Sequence, residues 1–81
     1  MTSAGKRLEK MRSNPRDWSI DDVRAVAKEF GLEVRAHGGS HYTFSHPDVA
    51  FHITIPARRP VKPVYIRDFV KFIDDIGGQA Q

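Results

Sequence analysis

Residues 32–55 read LEVRAHGGSHYTFSHPDVAFHITI, and apolar and polar side chains alternate along three short segments of this run. Such alternation is typical of β-strands with one buried face. It predicts strands near residues 32–37, 41–46 and 50–55. A Gly-Gly pair and a Pro-Asp pair separate the segments, and both pairs are common in tight turns. Because the strands are short and adjacent in sequence, we expect an antiparallel meander.

The alternation also divides the predicted sheet into two faces. The apolar face needs a cover of helices, and it carries Leu32, Val34, Ala36, Tyr42, Phe44, Phe51, Ile53 and Ile55. The opposite face has no large aliphatic side chain, and it carries Glu33, Arg35, His37, His41, Thr43, Ser45, His52 and Thr54. We therefore expect the second face to be open to solvent.

Amphipathic segments on either side of the strands predict the helices. Ser19 is expected to cap a helix in which Asp22 completes a capping box, and Gly31 is placed to end that helix. A last helix is expected to begin at Pro63. A shorter helix is expected over residues 6–13, either as part of the core or as an appendage. The predicted fold class is α+β, a two-layer sandwich with the helices on one face of a three-stranded antiparallel sheet.

The length and composition of the chain limit the number of domains and the classes of protein to which it can belong. The 81 residues suffice for one domain, divided into an N-terminal extension (1–16), a core (17–76) and a tail (77–81). With no cysteine, a disulfide framework and a Cys-based zinc site are excluded. No apolar run is long enough to span a bilayer, and residues 1–7 do not read as a signal peptide. The expected location is cytoplasmic, without membrane contact.

The charge is unevenly distributed along the chain. The formal net charge is +3, but residues 35–67 hold five basic side chains against one acidic one. All four histidines also lie in this part of the chain. A basic, histidine-bearing segment of this kind favours contact with a polyanion.

The segment Gly38-Gly39-Ser40-His41 is the strongest candidate for a reactive site. Two glycines before a strand allow positive φ angles and a close approach of the backbone to a ligand. Successive N–H groups in such a turn can form an anion nest that suits phosphate. His41 begins the next strand on the open face, and histidine is the side chain best suited to proton transfer near neutral pH. This combination suits phosphodiester cleavage without a metal, with an RNA 2′-hydroxyl as nucleophile.

The same residues have a plain structural interpretation. Gly-Gly pairs are common in hairpins, and a single exposed histidine is usually only solvated. His46 is predicted on the core face as a structural histidine, whereas His37 and His52 share the face of His41 and either one could assist it. Three histidines on one face could also bind a metal. Their spacing matches no known ligand motif and no carboxylate is placed to join them, so no metal site is predicted.

The run Gly39-Ser40-His41, followed by Phe44, His46 and Pro47, resembles the core motif of HicA toxins, the messenger-RNA interferases of bacterial type II toxin–antitoxin systems. The segment that ends at Arg12-Ser13-Asn14-Pro15 resembles the N-terminal extension of a longer HicA-like subset. The chain departs from the family pattern at three places. Tyr42 replaces the second histidine of the motif, and residues 56–59 lack the histidine that often follows the third strand. Val64 replaces the usual glycine near the start of the last helix.

The resemblance implies a double-stranded-RNA-binding-domain-like fold and an endoribonuclease that cleaves mRNA. His41 is the catalytic residue that it implies. It also implies a HicB-like antitoxin as the protein partner and no metal or small-molecule cofactor. The residues predicted to contact RNA are Gly39, Ser40, Arg35, Arg58, Arg59 and Lys62. Two alternatives stay open, a non-catalytic RNA-binding module of the same fold and a protein-interaction domain.

Overall fold

The computed structural model describes residues 3–77, which form three helices and one three-stranded antiparallel sheet. The elements are α1 (Ser3–Ser13), α2 (Ile20–Glu29), β1 (Glu33–His37), β2 (His41–His46), β3 (Val49–Pro56) and α3 (Pro63–Gly77). The strand order is β1-β2-β3, so the predicted antiparallel meander is confirmed. Of the predicted tail, residues 78–81 lie outside the described residues.

Both ends of α2 follow from local sequence. Asp22 N–H donates to Ser19 Oγ at 3.1 Å, and Ser19 N–H donates to Asp22 Oδ2 at 3.0 Å. These reciprocal bonds satisfy two amides at the start of the helix, as the capping box requires. After the helix, Gly31 adopts a φ of +79°, which glycine tolerates best. The chain then turns directly into β1.

The register of the sheet places the polar side chains of the three strands next to one another. His37 lies opposite His41 in the first pair of strands, and Thr43 lies opposite Thr54 in the second. The second pair is irregular between Phe44 and His46, so β3 holds extra residues at its start. The pairing of β2 with β3 is therefore regular in the half of the sheet next to the Gly-Gly turn, from His41 to Phe44.

The core lies between the sheet and the helices. Its buried apolar members are Leu8, Met11, Ile20, Val23, Val26, Ala27, Leu32, Phe44, Ile55, Val61, Ile66, Phe69, Val70, Phe72, Ile73 and Ile76. Leu8 and Met11 belong to α1 and are only 6% and 1% exposed. The first helix is therefore part of the core and not an appendage. Phe44 of β2 meets Phe69 of α3 edge to face, with ring centroids 5.7 Å apart.

Two residues assigned to the covered face are exposed. Ala36 is exposed because it lies at the end of β1, close to the turn. Phe51 is 51% exposed, since it lies in the irregular part of β3, although its ring still meets Phe72 edge to face at 5.5 Å. Tyr42 is half-buried, and the guanidinium of Arg24 covers its ring at 5.0 Å from the centroid. The helices thus cover the centre of the sheet and not its margins.

The other face carries polar side chains that are exposed or half-buried, as predicted. Arg35, His37 and His41 are all exposed on it. Within residues 3–77, no helix combines the length and the apolar character needed to cross a membrane.

Candidate functional site

The turn before His41 is built from two left-handed glycines. Gly38 has a φ of +62° and Gly39 a φ of +79°, values that other residues adopt only with strain. Ser40 N–H donates to the carbonyl of His37 at 3.3 Å, which closes the turn. That N–H is therefore used inside the protein and is not available to an anion. The predicted nest is left with fewer donors than the sequence suggested.

The side chain of Ser40 links the turn to the candidate catalytic residue. Its hydroxyl donates to the carbonyl oxygen of His37 at 3.4 Å, and its Oγ lies 3.2 Å from Nδ1 of His41. The hydroxyl has one proton, which it can give either to that carbonyl or to Nδ1 of His41. When the carbonyl takes it, Nδ1–H of His41 donates the second bond and Nε2 keeps its lone pair. In that arrangement Nε2 can accept a proton.

A cleft of about 320 Å³ opens beside His41. Its lining is Ser40, His41, Pro56, Ala57, Arg58, Lys62 and Tyr65. The cleft forms because backbone pairing continues one residue beyond the end of β3. There Ala57 N–H donates to the carbonyl of Ser40 at 2.8 Å. This bond holds the start of the β3–α3 loop against the Gly-Gly turn. Three separate parts of the chain meet there: the turn, the loop and the first turn of α3.

The cleft is electropositive. Arg58 and Lys62 are exposed, no carboxylate lines the cleft, and within residues 3–77 neither cation forms an ion pair. Both charges are therefore free to act on an anionic ligand. Two uncompensated cations beside a proton acceptor suit a phosphodiester, in which negative charge increases during cleavage.

Tyr65 is a member of the site that the sequence did not indicate. It lies in the first turn of α3 and is half-buried. Its position beside the buried Ile66 made it resemble a flanking residue of the apolar stripe. Only the path of the loop brings its ring to the cleft of His41. An aromatic ring at this position offers a stacking surface for a nucleobase.

The other predicted RNA contacts lie outside this cleft. Arg35 is exposed on the open face of the sheet, opposite Thr43 and two positions along the strands from the His37–His41 pair. Arg59 points toward α2, where its guanidinium lies 3.9 Å from the carboxylate of Asp21. Gly39 shapes the turn but does not line the cleft. The structure thus brings Ser40, Arg58 and Lys62 to His41, and leaves Arg35, Arg59 and Gly39 around it.

The remaining histidines have separate surroundings. His37 Nε2 lies 3.0 Å from the hydroxyl of Thr43, which in turn lies 3.1 Å from that of Thr54. His46 accepts the N–H of Asp48 at Nδ1, at 3.0 Å, so its predicted structural role is confirmed. His52 is exposed and lies outside the cleft. In the described part of the chain, no three His, Asp or Glu side chains converge on a common metal position.

Comparisons with known proteins neither add to this picture nor contradict it. No protein-family model, no curated protein and no solved structure matches the chain. The assignment of a function therefore depends on the geometry of the cleft and on the motif that surrounds His41.

Proposed function

We propose that the protein is a metal-independent endoribonuclease that cleaves mRNA, with His41 as its catalytic residue. The observation that carries the proposal is the cleft in which the exposed imidazole of His41 lies with the unpaired cations of Arg58 and Lys62. A proton acceptor next to two unpaired cations is what phosphodiester cleavage by the RNA 2′-hydroxyl needs.

The chemistry follows from the position of each group. Nε2 of His41 takes the proton of the 2′-hydroxyl as the oxygen attacks the adjacent phosphorus. The O2′–P bond forms and the P–O5′ bond breaks, which yields a 2′,3′-cyclic phosphate and a 5′-oxygen that takes a proton from water. Arg58 and Lys62 stabilise the charge that increases on the phosphoryl oxygens. Ser40 positions the imidazole of His41 through the contact of its Oγ with Nδ1.

The proposal extends to the fold family and to the partner. The order of helices and strands, with the Gly39-Ser40-His41 motif at the start of the second strand, supports a double-stranded-RNA-binding-domain-like fold of the HicA type. In that case the protein is a type II toxin, with a HicB-like antitoxin as its partner. The basic cleft suits an acidic surface of such an antitoxin. Coexpression with the product of an adjacent reading frame tests this pairing by copurification.

The central experiment is RNA cleavage by the purified protein and by the His41→Ala variant. Loss of a positioned proton-transfer group lowers the rate by roughly 10²–10⁴-fold. The matched control is His52→Ala, which removes an exposed histidine of the same sheet outside the cleft. Both variants should fold, because neither side chain is buried. Equal cleavage by the His41→Ala protein and the parent would remove the catalytic assignment.

Two further assays test the role of a metal and the identity of the nucleophile. Activity should persist in a chelator, since the proposed chemistry uses no metal. A substrate with deoxyribose at the scissile position should resist cleavage, because it lacks the nucleophile. Cleavage of that substrate would show that an activated water attacks instead.

The second candidate function is a non-catalytic RNA-binding module. The two unpaired cations of the cleft favour it equally, since phosphate contacts alone provide affinity for RNA. His41→Ala separates the two functions. A module should bind RNA without cleaving it, and the substitution should leave that binding nearly unchanged.

A further inference from the structure

A second groove, of about 430 Å³, is lined by the same β3–α3 loop. Its charged lining comprises Arg16, Asp17, Arg58, Arg59 and Lys62. Arg16 and Asp17 come from the α1–α2 loop, and the other three come from the β3–α3 loop. The groove is therefore formed by two loops that are far apart in sequence.

A backbone bond holds these two loops together. Val61 N–H donates to the carbonyl of Trp18 at 2.8 Å. The side chain of Val61 is only 1% exposed, so it anchors the middle of the β3–α3 loop in the core. The backbone of the groove is thus fixed by the fold.

The groove has an excess of positive charge. Four basic side chains line it against the single carboxylate of Asp17. Within residues 3–77, Arg16, Arg58 and Lys62 form no ion pair, and Arg59 has only the contact of 3.9 Å with Asp21. A guanidinium without a partner is well suited to a phosphate, which it can hold with two parallel hydrogen bonds.

The groove and the cleft of His41 are adjacent, because Arg58 and Lys62 line both. We propose that the groove binds the single-stranded RNA that flanks the scissile phosphate, with Arg16 holding a phosphate at a distance from the reaction. This inference rests on the proposed function and adds to it a binding site and a class of substrate. It assigns to the α1–α2 loop a role in holding RNA, in addition to the packing of α1.

A nucleic acid fits this groove better than an acidic protein does. Protein interfaces depend on apolar anchors at their centre. The exposed large apolar side chains of the described residues are Phe51 and Val64, and neither lines the groove, whose apolar lining is Pro60, Pro63 and the buried Val61. An RNA strand needs only the row of cations that leads away from His41.

Trp18 provides a probe beside the groove. It is the only tryptophan of the chain, and it lines a neighbouring cleft together with Asp17, Arg59 and Pro60, which line the groove as well. RNA that occupies the groove should change its fluorescence. The experiment uses the full chain with His41→Ala, which slows cleavage by roughly 10²–10⁴-fold. The ligands are single-stranded RNAs of about 4 and about 12 nucleotides, a range that covers known single-strand sites.

The test compares Arg16→Ala with Arg67→Ala in that background. Arg67 is an exposed residue of α3 that lines neither the groove nor the cleft of His41. Its replacement therefore removes one positive charge from a part of the surface outside both. With the longer RNA, Arg16→Ala should lower the log–log salt slope of binding by about 0.7, the value of one single-strand phosphate contact. Arg67→Ala should leave the slope unchanged, and only the longer RNA should change the Trp18 fluorescence.

Several results would overturn the inference. An unchanged slope in Arg16→Ala, or an equal loss in Arg67→Ala, would show that Arg16 holds no phosphate. Polyglutamate that binds as tightly as RNA of equal charge would assign the groove to an acidic protein. If the parent binds RNA through Arg16 but never cleaves it, the endoribonuclease proposal is wrong, and the proposal that the groove binds RNA is supported. If no variant binds RNA, both fail.

Discussion

The guanidinium of Arg12 holds both carboxylate oxygens of Asp74, at 2.7 and 2.8 Å, across 62 positions of sequence. The pair joins α1 to α3 at the surface of the helical layer. Hydrogen bonding by Arg12 lowers the pKa of Asp74 below its ordinary value of 3.8, and the same bonds raise the pKa of Arg12. The pair thus links the stability of the fold to pH.

Asp74→Asn should reduce stability, and the reduction should disappear in acid. Because the pKa of Asp74 is lower in the folded protein than in the unfolded chain, the pair stabilises above the ordinary carboxyl pKa and is lost as pH falls through the folded-state pKa. Both side chains are nearly half exposed, so we expect a cost of only about 0.5–1 kcal/mol at neutral pH. Denaturant unfolding at several pH values measures it, with Asp75→Asn as the control.

Ser40→Ala should slow cleavage without preventing it. The variant loses the bond between Ser40 Oγ and Nδ1 of His41, and a bond of about 1 kcal/mol corresponds to roughly 5-fold in rate. The loss should appear in kcat with KM unchanged, which a general disturbance of the turn would not cause. Ser40→Thr keeps the hydroxyl and should restore kcat. If Ser40→Ala and the parent have the same kcat, the positioning role is wrong.

Arg58 should contribute more to catalysis than its neighbour Arg59. Arg58 lines both the groove and the cleft of His41 and has no acidic partner among the described residues. The guanidinium of Arg59 lies 3.9 Å from the carboxylate of Asp21, and Arg59 does not line the cleft of His41. We expect Arg58→Ala to reduce cleavage and RNA affinity together, and Arg59→Ala to reduce mainly affinity. The double variant should lower the salt slope by about 1.4, at roughly 0.7 per contact. Equal slopes in the double variant and the parent would contradict these assignments.

Tyr65 should act through its ring and not through its hydroxyl. If the ring stacks on a nucleobase, Tyr65→Phe should bind RNA like the parent, and Tyr65→Ala should lose about 1–3 kcal/mol of binding free energy. Fluorescence anisotropy with labelled RNA measures both. A loss in Tyr65→Phe as large as in Tyr65→Ala would indicate that the hydroxyl is the important group.

Phe44→Ala should be the most damaging single change in the sheet. Phe44 is fully buried and meets Phe69, so its truncation leaves a cavity between the two layers. The expected cost is about 3–5 kcal/mol in the free energy of unfolding. Val64→Ala is the control, because Val64 is half exposed and should change stability little. Chemical denaturation gives both values.

The features that depend on neighbouring residues could be predicted from the sequence. The capping box of Ser19 and Asp22, the turn at Gly31 and the start of α3 at Pro63 all lie where the residue types indicate. Each is determined by hydrogen bonds or backbone preferences within a few positions. The alternation of the strands likewise predicted the position of His41 on the open face.

The features that depend on distant contacts could not be predicted. The cleft depends on the bond from Ala57 to Ser40, and no local pattern indicates that bond. For the same reason the sequence did not indicate Tyr65 and grouped Arg59 with Arg58. The exposure of Phe51 follows from an irregular register, which alternation alone does not reveal.

The anchoring of Val61 separates two kinds of position within a single loop. Its side chain and its amide are both committed to the fold, while Arg58, Arg59 and Lys62 on either side are exposed. Substitutions at these three positions can therefore change what the protein recognises at little risk to folding, whereas position 61 must stay aliphatic. In this loop, selection can therefore act on ligand preference and on folding separately. A library randomised at the three exposed positions should yield mostly folded proteins.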